Sequence, residues 1–142
     1  MFTPDEIDLI RTSFAPTMPI GAKAAATMFD NLFQANSEFE ALFSEISGPP
    51  KTMFWATLGL IVNNLEDLGS LDVPLTQLGA RHANMGATPE RYGMIADVVI
   101  GTIATINGDD WTGAHEDAWE HVMGLVVDKM LDGAATAQST AA

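Results

Sequence analysis

The sequence contains no cysteine, so neither a disulfide nor a thiolate-held metal can organise the fold. Basic residues are scarce as well: six lysines and arginines stand against nineteen acids, a formal net charge of -13. The bases come singly, at Arg11, Lys23, Lys51, Arg81, Arg91 and Lys129. Binding a polyanion needs clustered cations, so nucleic acid and anionic membrane surfaces are excluded as partners. There is no run of about 18 apolar residues long enough to read as a membrane span. The opening "MFTPDEIDLI" carries acids where a secretory signal carries bases, and the expectation is a soluble cytoplasmic protein. Tyrosine occurs once and histidine three times, so phenol or imidazole chemistry rests on very few positions.

What is present reads as helix. At 142 residues the chain is expected to form one domain, residues 1–132, followed by a flexible tail over 133–142 rich in small residues. Apolar spacing is helical almost throughout, without strand-like alternation between turn signals, and the class is all-α. Thr3, Pro4 and Glu6 form a capping box with proline at the first helical position, predicting a helix over 4–14 that Pro16 and Pro19 end. A second helix follows across "IGAKAAATMFDNLFQAN", and Ser37 with Glu40 opens a short third one ending near Phe43. "KTMFWATLGLIVNNLEDL" predicts one long helix, and "LDVPLTQLGARHANM" another with Pro74 near its first turn. Thr88-Pro89-Glu90 starts the next, through Ile106; "NGDDWTG" is a turn; the last helix is expected over about 114–131. The acids of that turn lack the alternating spacing of a calcium loop.

His82 stands out against this pattern. Leu71, Leu75, Leu78 and His82 follow at spacings of 4, 3 and 4, which puts the imidazole on the apolar face of its helix. It is either a core histidine with ordinary hydrogen-bond partners or a metal ligand whose second nitrogen donates to a carbonyl, for which that of Leu78 is in reach. No other ligand-type side chain is spaced to join it in a protein-only metal cage. A cofactor that brings four ligands of its own needs one histidine only, as haem does.

The segment "GARHANMGATPERY" resembles the proximal region of bacterial single-domain haemoglobins and of the globin domain of flavohaemoglobins, in which a tyrosine follows the histidine by ten residues, as Tyr92 follows His82. "TPDEIDLIRTSF", "MFDNLF", "FEALF" and "EDAWEHVMGLV" are similar, in order, to further segments of that family. The resemblance implies a globin fold of about seven helices around a haem pocket. It implies haem b, iron protoporphyrin IX, as cofactor, with His82 on the iron, Phe43 stacked on the macrocycle, Arg81 near a propionate and Tyr92 on the proximal side. Phe29, Pro50, Met53, Phe54, Leu78 and Ile95 complete the implied haem-contacting set. His115 and His121 fall where the family has no iron ligand and read as surface or boundary residues.

Three positions depart from the family. Phe29 stands where a ligand-bonding tyrosine is usual. Pro50, with Phe54 one turn later, stands where the distal glutamine is usual; a one-residue slip puts Pro49 and Met53 there. Ala134 stands where a glutamate would pair with the tyrosine. The distal pocket is therefore expected to be apolar, with Lys51, Thr52 and the indole of Trp55 as the remaining polar groups, and the electron push for O–O cleavage lacks its acid partner. The resemblance implies reversible binding of a diatomic gas (O2, CO or NO), by a monomer or a homodimer. Two alternatives stay open: a nitric oxide dioxygenase or peroxidase-like enzyme served by a separate reductase, and a haem-based or haem-free sensor domain.

Overall fold

The computed structural model describes residues 2–39, 51–84 and 88–141, with the side chains at 51–53, 81–84, 134 and 136–141 outside that description. Six helices are named here: α1 (Pro4–Phe14), α2 (Gly21–Ala35), α3 (Lys51–Asn63), α4 (Asp72–Asn84), α5 (Pro89–Asn107) and α6 (Gly113–Ala141). No strand occurs among the described residues. The expected capping box forms: Thr3 Oγ1 accepts from the Glu6 N–H and Glu6 Oε1 accepts from the Thr3 N–H, each at 3.1 Å. Pro16 and Pro19 remove donors that α1 would need to continue, and the chain tightens into a 3-10 segment, Ala15–Ile20.

The core lies where α1, α2, α5 and α6 meet, around Ile10, Phe14, Met28, Leu32, Val99, Ile103 and Trp119. Its buried Ser13 and Thr102 hydroxyls and the Trp119 indole are satisfied internally, as burial demands. Trp119 Nε1 donates to Ser13 Oγ at 2.8 Å, and that hydroxyl donates in turn to the Leu9 carbonyl at 2.7 Å. Thr102 returns its hydroxyl to the Val98 carbonyl at 2.8 Å.

Two boundaries differ from the sequence expectation. The long helix expected from Lys51 stops at Asn63 and passes into a 3-10 segment, Leu65–Leu71, in which Asp67 is non-helical at φ -144° and ψ 62°. The Asn64 amide takes the Leu60 carbonyl at 2.7 Å in competition with the helix. Arg11, from α1, then donates to the carbonyls of Val62 at 3.2 Å and Asn63 at 3.3 Å, so these helix-end acceptors find a cation instead of a further turn. At the other end, α6 runs to Ala141, past the Leu131 at which the sequence expectation stops it; Ala134, Ala135, Ala137 and Gln138 are strong helix formers. That extension matters to α4, because α4 and α6 share the most extensive helix–helix contact among the described residues.

Candidate functional site

Helices α3 and α4 flank an apolar cleft of about 170 Å3. Its walls are Thr57, Leu60 and Ile61 on α3, Leu71 just before α4, and Pro74, Leu75 and Leu78 on α4. The stripe expected from spacing, Leu71, Leu75 and Leu78, thus lines the cleft while packing with the core. The backbone of position 82 belongs to α4 and continues that stripe by one turn. The side chains of His82, Arg81 and Met53 lie outside the described residues, and so do Phe43 and Pro50 entirely.

Phe29 on α2 is buried and meets Phe54 on α3 edge to face, with centroids 5.7 Å apart and an interplanar angle of 70°. Phe33 approaches Phe29 at 6.0 Å. Phe54 is partly buried and stands three residues before Thr57 and seven before Ile61, so the phenyl pair continues the cleft-facing side of α3. Trp55 is different. It is buried against Phe14, near-parallel at 6.0 Å, and its Nε1 donates to Thr17 Oγ1 at 2.9 Å. Its indole therefore serves the α1 side of the fold and is not offered to the cleft.

Tyr92 and Ile95 stand in the first turns of α5. Tyr92 is buried, and burial pushes its phenol pKa up, keeping the group protonated. Ile95 is partly buried against the core. The two remaining histidines are committed elsewhere. His115 Nδ1 accepts the Thr112 N–H at 3.1 Å beside the start of α6 and its ring stacks on Trp111 at 5.3 Å. His121 Nδ1 meets Glu6 Oε2 at 2.7 Å, with the Phe2 ring centroid 4.5 Å away. Both are boundary residues, and no group of three or more metal-ligating side chains occurs among the described residues.

Thr57, Leu60 and Ile61 were not singled out from sequence, although the spacing 54, 57, 61 repeats at helical intervals and carried the signal. The lining holds no acid and no base, which suits an apolar, planar ligand. A cofactor-sized pocket measures about 300–1,000 Å3, so seating a macrocycle requires α3 and α4 to part further than they do here.

The family model described as "Globin" matches residues 26–130. Among curated proteins, the flavohemoprotein of Bacillus subtilis is 23% identical over 128 residues, covering 88% of this chain and 32% of that protein. The flavohemoprotein of Xylella fastidiosa is 25% identical over 134 residues, with 92% and 34% covered. The chain spans about a third of the length of these flavohemoproteins. A neuroglobin of Tetraodon nigroviridis is 25% identical over 140 residues, covering 89% of this chain and 88% of its own. Among solved structures, the ferric myoglobin of Aplysia limacina superposes with a TM-score of 0.80 at 18% identity, covering 94% of this chain and 99% of that one. No helix among the described residues is long and apolar enough to cross a membrane.

Proposed function

Because the chain belongs to the globin family, we propose that it holds a haem in the cleft between α3 and α4 and binds a diatomic gas there reversibly, with His82 as the residue that would hold the iron. The observation that carries this reading is the cleft wall itself: Leu71, Leu75 and Leu78 face the opening, and position 82 is next on the same face of α4. Haem b is the form assigned; when bound it would supply an iron able to take up a gas, held to the chain by His82.

The chain's own residues do the rest. The apolar side chains of α3 and α4 exclude water and bury the macrocycle. The Leu78 carbonyl, one turn before His82, is the acceptor assigned to the second imidazole N–H, which would fix the tautomer and ring orientation. Phe29 and Phe54 present hydrocarbon on the α2–α3 side, and neither can donate a hydrogen bond. Gas binding without catalysis fits such a pocket best. A reductase is the partner assigned for keeping the metal ferrous. The cytoplasm is the assigned compartment.

Absorption spectra of the ferric, ferrous and CO-bound protein test the reading. A Soret band that His82→Ala abolishes or weakens, and that His115→Ala and His121→Ala leave in place, is expected. Wild-type protein that takes up no haem, or an H82A variant that releases it no faster than wild type, would overturn it.

A further inference from the structure

Gly79 and Gly133 are both buried, on α4 and α6. They stand where these two helices cross antiparallel, Gly79 against Met130 and Gly133 against Thr76. The approach is backbone to backbone. A Cβ at Gly79 would fall 2.6 Å from the Met130 Cα and onto its carbonyl oxygen; a Cβ at Gly133 would fall 2.6 Å from the Thr76 Cα and onto that carbonyl. Real Cβ atoms do not come within 3.0 Å of such neighbours, and backbone cannot swing aside as a flexible side chain does. The Lys129–Asp72 ion pair ties the same two helices.

The faces of α4 are divided accordingly. Leu75 and Leu78 line the cleft, while Thr76 and Gly79 meet α6. We infer that Gly79 and Gly133 are positioning residues for His82: two missing side chains let α4 draw back onto α6, which sets both the width of the cleft and the height of the ligand that α4 carries. The inference rests on the haem reading above. Position 82 is three residues beyond Gly79 in one continuous helix, so a displacement at 79 is carried to 82. A Cβ at Gly79 would lie 1.9 Å from the Met130 carbonyl oxygen, so ordinary contact at 3.4 Å needs the helices to separate by about 1.5 Å. A metal ligand tolerates about 0.5 Å of misplacement before its geometry is lost.

The experiment uses Gly79→Ala and Gly133→Ala in the full chain, with Gly101→Ala as control, because a Cβ at Gly101 meets nothing within 4 Å. Resonance Raman of the deoxy ferrous protein reads the iron–histidine stretch, transfer to apomyoglobin reads haem retention, and far-UV circular dichroism of the apoprotein reads the fold. Both crossing variants are expected to keep their helicity, to displace the stretching band from the wild-type position, and to release haem about 10–100-fold faster, the range seen when support of a metal ligand is lost. The control is expected to match wild type in all three. A band and release rate unchanged in G79A and G133A would overturn the inference while leaving the haem reading intact. Loss of helicity in both variants would overturn it too, since the contact would then hold the fold together and not set the ligand. Failure of the haem reading shows separately, as wild-type protein without a Soret band.

Discussion

Trp55 on α3 donates its indole N–H to Thr17 Oγ1 at 2.9 Å, and Thr17 donates its own hydroxyl to the Phe14 carbonyl at 2.6 Å. Both side chains are buried, Thr17 completely. The bond fastens α3 to the 3-10 segment after α1 and removes the indole from the polar groups that could meet a ligand in the cleft.

Thr17→Val tests that assignment, because it keeps the shape of the side chain and removes only the hydroxyl. The Trp55 N–H is then buried without an acceptor, at a cost of about 1–3 kcal/mol. Urea denaturation should show a lower midpoint at unchanged slope, the mark of lost stability without a change in the surface exposed. Gas dissociation rates should stay at wild-type values. A large change in those rates would place Trp55 in the ligand's surroundings after all.

Arg11 gives a second prediction. Its guanidinium bonds the Val62 and Asn63 carbonyls and the Glu66 carboxylate, and Glu66 raises its pKa further. The carbonyl contacts, not the ion pair, are what end α3. Arg11→Ala should therefore lower stability by about 1 kcal/mol after discounting for solvent exposure. Glu66→Gln should do less, and its effect should fade with added salt. Equal losses from the two substitutions would mean that the ion pair carries the contact.

Acid should expose a third interaction. The Thr3 N–H foremost, and then the His121 ring, hold the Glu6 carboxyl below the usual carboxylate range. A depressed folded pKa stabilises fully above the unfolded value, about 4.3, and the contribution is lost as pH falls through the folded value. Glu6→Gln should then lie below wild type in stability at about pH 6, with the gap closing toward about pH 3. Melting temperatures across that range make the check. A gap that stays constant with pH would show that the capping geometry matters and the charge does not.

What could be read from the sequence was local or periodic. Thr3 and Glu6 announce their box because both partners lie within one turn. The leucine stripe that continues to position 82 is fixed by helical geometry alone, and it does face the cleft. What could not be read depends on residues far apart in the chain. The Trp55–Thr17 bond spans 38 residues, and the Arg11 contact that ends α3 spans 51. The crossing of Gly79 with α6 belongs to the same class: a glycine inside a helical pattern reads as a weakness until the opposing backbone is known. Phe43 and Pro50, inferred from family likeness, lie outside the described residues and rest on that likeness still.

The Phe29–Phe54 pair leads to the last prediction. Both rings are hydrocarbon, Trp55 is bound to Thr17, and the one hydroxyl in the described cleft wall, that of Thr57, stands about one turn beyond Phe54. Oxygen in a haem pocket draws negative charge and gains from a donor, whereas CO gains far less. A hydrogen bond to a charged group is worth about 1.5–3 kcal/mol, so oxygen should leave this protein about one to two orders of magnitude faster than from a pocket with a donor. Phe29→Tyr adds a single hydroxyl to a ring already in contact with Phe54. It should slow oxygen dissociation by a similar factor in stopped-flow measurements while leaving CO dissociation nearly as it was. The added polar atom also discriminates between binding and burial. If the hydroxyl finds no ligand to meet, it is desolvated without compensation, and stability falls by about 1–3 kcal/mol with oxygen kinetics unchanged. Slow oxygen release from wild-type protein, unaltered by F29Y, would mean that Lys51 or Thr52 already supplies the donor.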